Sequence, residues 1–418
     1  MLRALDHRNY RLFFIGQSIS LIGTWMTQIA TSWLIYRLTN SALVLGVVGF
    51  VGQIPSFLLA PVAGVLVDRW NRHRLLVATQ ALSMAQSLAL AALTLAGVVK
   101  IWHVIALSAF QGVINAFDMP ARQTFVVEMV ERREDLSNAI ALNSVIVNSA
   151  RLLGPSLAGA IIAAVGEGWC FMLDGVSYLA VIASLLLMTL PRAVAEQIEE
   201  ENILRRFREG WNYIIRFKPI RNLLFLLAML SLIGMPYTVL MPIFADEILG
   251  GGSHTFGWLM AASGVGALMG ALFLAARKTV LGLGKFVPLM AGVFGAGLIA
   301  FSFSRELWLS LLLRVVTGLG FMAHMAVSNT LLQTIVEEDK RGRVMSFYTV
   351  AVMGTMPFGS LLAGAMGARI GAPHTLLISG ICCIVGALWF ARTLPSLRRD
   401  VRPIYVERGI LPKARRAS

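Results

Sequence analysis

Leu157-Ala158-Gly159-Ala160 returns as Leu362-Ala363-Gly364-Ala365 after 205 residues, and Gly154 returns as Gly359 at the same offset. A second quartet, Ser20-Leu21-Ile22-Gly23, returns as Ser231-Leu232-Ile233-Gly234 after 211 residues. Each match alone is weak in so apolar a chain. Their positions give them weight, because they fall in corresponding apolar runs, the first and seventh and the fifth and eleventh. Two repeats of six helices follow, a plan in which parallel repeats enclose a substrate site near the bilayer midplane.

The 418 residues are 57% hydrophobic and 14% charged, with a mean hydropathy of +0.73, whereas soluble domains are about a quarter charged. A hydrocarbon core about 30 Å thick needs about 20 apolar residues per helix. Runs of that length lie near 12–36, 42–67, 75–98, 102–127, 138–165, 168–190, 221–248, 254–277, 285–303, 307–334, 344–368 and 373–394. The expected fold is an all-α membrane protein, twelve transmembrane helices forming two six-helix pseudo-symmetric bundles. Its expected domains are a first bundle over 1–190, a cytoplasmic linker over 191–220, a second bundle over 221–395 and a basic tail over 396–418. The linker carries an acidic stretch at 196–201. Beyond it Phe207, Trp211, Ile214 and Ile215 recur at helical spacing, predicting a short helix on the membrane surface or packed against the protein. After Pro395 the Arg-rich tail is expected to be mobile and near lipid.

A net charge of +14 would suggest nucleic acid in a soluble protein, but here its sidedness is informative. With the amino terminus inside, 29 of the 36 Lys and Arg fall on inward segments. Arg37, Lys100, Arg305 and Arg369 fall outside, and three lie within spans. This predicts a multi-pass membrane protein with both termini cytoplasmic and its basic side against the anionic inner leaflet. Nucleic acid is not an expected partner, and a monomer is expected. The first ten residues lack the features of a cleavable signal. Cys170, Cys382 and Cys383 have no ligand spacing, so no metal is expected. There is no HExxH, no GxSxG and no phosphate loop around Gly284 and Lys285. Neither an enzyme, a cofactor nor ATP-driven pumping is expected.

Charges at bilayer depth cost roughly 2.5 to 3.5 kcal/mol on insertion scales and mark pathways. Asp118, Arg122, Arg151 and His324 are the proton-coupling candidates. Asp118 and Arg122 stand four apart on one helical face, and adding 206 to Asp118 gives His324, as it takes Gly112 to Gly318. The alternatives are a structural clamp for Asp118 and Arg122, and for His324 a simple bond to Ser328. Trp25, Gln28, Gln53, Asn115, Asn143, Asn148 and Arg314 are candidates to line a cavity or meet substrate, or else to bond between helices. Asp174, about a turn inside the outer end of its span, is expected to reach water in a structural role.

The turn Gly64-Val65-Leu66-Val67-Asp68-Arg69-Trp70-Asn71-Arg72-His73-Arg74 resembles the signature loop of the major facilitator superfamily. Asn71 stands where the family usually has a second glycine, and Asn also tolerates left-handed backbone. The resemblance implies the major facilitator fold and a cytoplasmic latch of Gly64, Asp68, Arg69 and Arg72, with Asp68 near the start of the eleventh helix around Arg343. A solvated topology anchor is the alternative. Arg151-Leu152-Leu153-Gly154-Pro155, continuing to Gly159, resembles the glycine-proline motif of the superfamily's exporters, implying a helix bend or tight packing.

Arg8-Asn9-Tyr10-Arg11, Leu38-Thr39-Asn40-Ser41-Ala42, Pro120-Ala121-Arg122-Gln123 and Ala139-Ile140-Ala141-Leu142-Asn143-Ser144 resemble bacterial exporters grouped with enterobactin exporters and macrolide efflux proteins. Thr24 follows Gly23 where many relatives carry an acid. The resemblance implies secondary active export of an amphipathic small molecule (a drug, macrolide-like compound or siderophore) by proton antiport. The alternatives are an importer or lysophospholipid translocator of the same fold, and a non-transporting receptor.

Overall fold

The computed structural model describes residues 3–130, 132–189, 203–277 and 279–411. The first bundle comprises α1 (Arg8–Thr39), α2 (Ala42–Arg69), α3 (Arg72–Leu95), α4 (Ile101–Met129), α5 (Leu136–Val165) and α6 (Glu167–Leu186). The linker helix α7 spans Ile203–Arg216. The second bundle comprises α8 (Lys218–Ile248), α9 (Ser253–Ala275), α10 (Leu283–Phe303), α11 (Leu307–Ile335), α12 (Glu338–Ile370) and α13 (Ala372–Glu407). Among the described residues eleven helices are long and apolar enough to cross a membrane. The twelfth, α1, is 32 residues long but more polar, because it turns Gln17 and Ser20 into the bundle, where they are buried.

Local chemistry sets the boundaries. Asn40, left-handed at φ 44°, closes α1 by donating its N–H to the Tyr36 carbonyl, and the Ser41 hydroxyl caps α2 by accepting from the Val44 N–H. Asn71 is extended at φ −67° and its Oδ1 caps α3 through the Arg74 N–H. It therefore serves as a helix cap, and the left-handed backbone considered from the sequence is not used. Two tight turns need positive φ and fall in equivalent places: Gly166 (φ 90°) joins α5 to α6, and Gly371 (φ 82°) joins α12 to α13.

Packing follows the repeat. In the first half α2 packs on α4, and α3 on α4 and α6. In the second, α9 packs on α11, and α10 on α11 and α13. Between halves α5 meets α9 and α2 meets α12, the two contacts that a pseudo-twofold exchanges. Glycines make both. A Cβ at Gly46 would sit 2.8 Å from the Gly364 Cα, and one at Gly257 2.9 Å from the Gly159 Cα. The repeat offsets carry Gly46 to Gly257 and Gly159 to Gly364, so one crossing is the image of the other. Gly154 brings α5 onto α1, its Cβ position lying 2.5 Å from that of Trp25. The α5 helix runs unbroken through Pro155.

These crossings lie on the far face, opposite the side of the linker and basic loops. Phe57 and Phe358 continue the seal at mid-depth, edge to face at 6.4 Å. Gly64 lies 18 residues beyond Gly46, roughly 27 Å along α2, and a Cβ there would meet nothing within 4 Å. The halves are joined at the far face and part toward the basic face.

At the periphery one expectation is narrowed, for the linker, and one changes, for the tail. The linker helix packs on the protein: the Trp211 ring lies tilted against Phe347 at 5.9 Å, Ile214 is buried and Glu209 pairs with Arg343 at 3.0 Å. The acidic stretch at 196–201 lies outside the described residues. The segment after Pro395 is helical to Glu407, through Pro395 and Pro403. Leu397 is buried and Arg408 Nη2 donates to the Val336 carbonyl at 2.7 Å, which ties the extension down. Only residues 412–418 lie outside the described tail.

The crossings give a stability prediction. Gly364→Val pushes atoms into the Gly46 backbone and should cost about 1 to 3 kcal/mol or more. Gly292→Ala, where nothing lies within 4 Å, should leave the thermal unfolding midpoint of the purified protein unchanged.

Candidate functional site

The charged groups inside the spans occupy three separate settings. In the first, α4 carries Asp118 against α3. Its Oδ1 accepts from Thr79 Oγ1 at 2.8 Å and Gln80 Nε2 at 2.7 Å, and its Oδ2 pairs with Arg122 one turn on. The acid is 4% exposed, while a quarter of the Arg122 side chain meets the outside. Asn115, a turn earlier, accepts from Gln111 Nε2, which also donates to Ser83. Asp118 is thus a sealed member of a polar α3–α4 seam, and Arg122 is its accessible end. Arg151 does not join it.

In the second setting, Arg151 lies on α5 with its guanidinium 5.7 Å from the Trp25 ring on α1. It is half-buried, and among the described residues it has no acidic partner. The Arg151 carbonyl and the Leu152 Cα abut Gly264 of α9, at 3.1 and 3.3 Å from its Cβ position. The side chain therefore sits where the halves meet, with Arg314 and Tyr237 of the second half within electrostatic reach. Arg314 itself is fully buried. Its Nε donates to the Leu259 carbonyl at 3.2 Å, its Nη1 to Thr317 Oγ1 at 3.4 Å, and its guanidinium stacks 4.2 Å from the Tyr237 ring. Tyr237 in turn reaches Ser263 at 3.3 Å. A carbonyl, a hydroxyl and a π face take the place of a carboxylate. In this conformation Arg314 is withdrawn behind Tyr237 and does not line the gap.

The third setting is His324 on α11, fully buried, with Nδ1 2.9 Å from the Val287 carbonyl of α10. A carbonyl only accepts, so Nδ1 carries the proton. Nε2 has no partner, and neither has the Ser328 hydroxyl, so the bond to Ser328 considered from the sequence is not made. His324 faces α10 as Asp118 faces its counterpart α3. The repeat keeps the place and changes the chemistry.

The remaining candidates are dispersed. Gln28 is exposed, Gln53 donates to its own helix at Gly49, and Asn148 donates to the Ser144 carbonyl. Asn143 is half-buried. Of the residues expected to form a latch, Arg72 pairs with Glu128 at 2.5 Å and Arg343 with Glu209. The Asp68 side chain lies outside the described residues. Asp174 does not reach water: it is 2% exposed, accepts from Thr27 Oγ1 and Ser87 Oγ at 2.9 Å, and leaves Oδ1 unpartnered against the notch of Gly23. Among the described residues no cluster suits a metal ion.

Sequence reasoning missed several partners. Thr79, Gln80 and Tyr237 carry no charge and follow no motif. The far-face bond from Tyr36 to Asp246, at 2.8 Å across the halves, joins residues 210 apart in sequence.

The seam gives a double-mutant test. Arg122→Gln leaves Asp118 without its cation and should cost about 1.5 to 3 kcal/mol. Asp118→Asn combined with Arg122→Gln should cost less than the two single changes together, read as unfolding midpoints.

A family model described as a transmembrane secretion effector matches residues 2–404. The staphyloferrin A transporter of Staphylococcus aureus is 25% identical over 395 residues, 93% of this chain and 98% of that protein. Macrolide efflux protein A of Streptococcus pyogenes is 23% identical over 397 residues, 90% and 95% of the two. Among solved structures, a bacterial homologue of the human lysosomal transporter Spinster, described as inward-facing and unoccupied, superposes with a TM-score of 0.73 at 12% identity, covering 94% of this chain and 98% of that one. With twelve helices in two related bundles and no enzyme motif, the chain is a multi-pass membrane transporter that belongs to the transmembrane secretion effector family, exporters of the major facilitator superfamily.

Proposed function

We propose that this transporter exports an amphipathic small molecule from the cytoplasm in exchange for protons, as a monomer in the bacterial plasma membrane with both termini inside. The reading rests on one observation, the Arg151 guanidinium: half-buried at the closed end of a gap that widens toward the basic face, over Trp25 and without an acid among the described residues. A charge at that depth is costly, and a cargo that brings an anionic or strongly polar group offsets the cost while its apolar part meets the indole. The relatives named above carry a siderophore and a macrolide in their names, cargoes of the size and mixed polarity this site suits.

Proton coupling falls to Asp118 and Arg122, with His324 in the equivalent place of the second half. The carboxylate stays paired while the far face is closed. Opening toward the far side brings water or cargo to the accessible end of Arg122, whose side chain turns away, and Asp118 takes a proton in its place. An inward proton brings about 2.3 kcal/mol per 100 mV, enough to drive about a 50-fold gradient of a neutral cargo.

Two measurements in proteoliposomes test this. Asp118→Asn should abolish uphill accumulation driven by a pH gradient yet retain counterflow of labelled cargo. Full uphill transport by that variant would exclude Asp118 as the carrier. Arg151→Gln should lower counterflow by tenfold or more with little change in the unfolding midpoint, and Arg151→Lys should restore part of it. Wild-type rates in Arg151→Gln would remove the site.

A further inference from the structure

The α13 helix is 36 residues long, whereas a span needs about 20. Its last turns project past the bundle on the basic face and roof a cavity of about 390 Å³, within the range of ligand pockets, roughly 300 to 1,000 Å³. The apolar walls come from three helices of the second half: Leu223 of α8, Leu331 of α11, and Phe390 and Leu394 of α13 are among the lining side chains. Part of the lining is different. Lys285, at the start of α10, and Arg398 and Arg402 of α13 also line the cavity, no acid among the described residues does, and none of the three side chains has a hydrogen bond or ion pair among the described residues.

This arrangement separates the two halves of one ligand class. A row of cations at the depth of the inner headgroups attracts phosphate, at about 1 kcal/mol per Lys or Arg near an anionic surface. Apart from these cations and Tyr405 the lining side chains are apolar, and empty space lined by carbon forfeits packing. A hydrocarbon chain fills it. The start of α10 adds backbone N–H groups and a positive helix end beside Lys285. The proton and cargo chemistry described above uses none of these residues.

We propose that this cavity binds one anionic phospholipid of the inner leaflet, its phosphodiester between Lys285, Arg398 and Arg402 and one acyl chain along Leu223, Leu331, Phe390 and Leu394. The lipid joins the α13 extension to α8, α10 and α11, and so holds the second bundle together at its basic end.

Native mass spectrometry on the full-length protein, titrated with phosphatidylglycerol or phosphatidylcholine of matched chains, tests this. One phosphatidylglycerol should stay bound where phosphatidylcholine is lost, with about tenfold or greater preference. Neutralising Lys285, Arg398 and Arg402 to Gln should weaken phosphatidylglycerol by about fivefold per charge and leave phosphatidylcholine unchanged. Leu394→Trp, which fills the cavity, should weaken both, with unfolding midpoints confirming that each variant is folded. Equal retention of the two lipids, an undiminished preference in the neutralised protein, or displacement by inorganic phosphate alone would overturn the site.

Discussion

The structure depends on how closely two backbones can approach. At the far face α2 meets α12 and α5 meets α9 through Gly46 with Gly364 and Gly159 with Gly257. Without side chains at these points the helices touch along Cα atoms, and dispersion between main chains replaces the hydrophobic drive that lipid removes. Everything on the basic side follows from that contact being made at one end only. With the far ends locked, the close backbone contacts end before Gly64, whose Cβ position meets nothing within 4 Å, and the space between the halves opens toward the basic loops. The intramembrane charges differ in access: Arg151 lies where the halves meet, Arg122 is partly exposed, and Asp118, Arg314 and His324 are buried within their own halves.

Polar groups behind the walls are satisfied in ways that preserve each bundle as a unit. Asp118 is held by three donors from its own half, and Arg314 by a carbonyl, a hydroxyl and an aromatic ring from its own half. Neither needs the opposite bundle, so neither resists separation of the halves. Arg151 differs because its side chain lies between them, beside the Trp25 ring and without an acidic partner among the described residues. The far-face bond from Tyr36 to Asp246 also crosses between halves, and with one phenolic proton it is readily exchanged for water. The buried charges are thus satisfied within a half, while the halves meet through two glycine crossings, which is a distribution that suits rigid-body rocking.

Much of this was legible in the chain. Two four-residue echoes located the repeats, and one of them contains Gly159 and Gly364, members of the two crossings. The Asp118 and Arg122 pair followed from spacing of four. Other features were not legible for identifiable reasons. The helical α13 extension depends on tertiary packing of Leu397 and the Arg408 contact, which overrides two prolines. Asp174 is expected at water by depth alone, but Thr27, Ser87 and the notch of Gly23 give it an interior place. The seclusion of Arg314 depends on Tyr237, a residue with no charge or motif to mark it, 77 positions away in sequence.

The α8 helix is wound unlike its partner α1. Wide π turns occupy Leu230–Gly234 and Phe244–Ile248, with a tight 3-10 stretch over Met235–Leu240 between them, and Tyr237 sits in that stretch. Each residue advances a regular helix by about 100°, so the winding sets the azimuth at which the phenol emerges. Were α8 regularised, Tyr237 would swing off the guanidinium it covers, and Arg314 would lose its aromatic shield. The uneven pitch of one helix thus holds a fixed positive charge out of sight in this conformation, and rewinding that helix is a route by which the same charge comes into view.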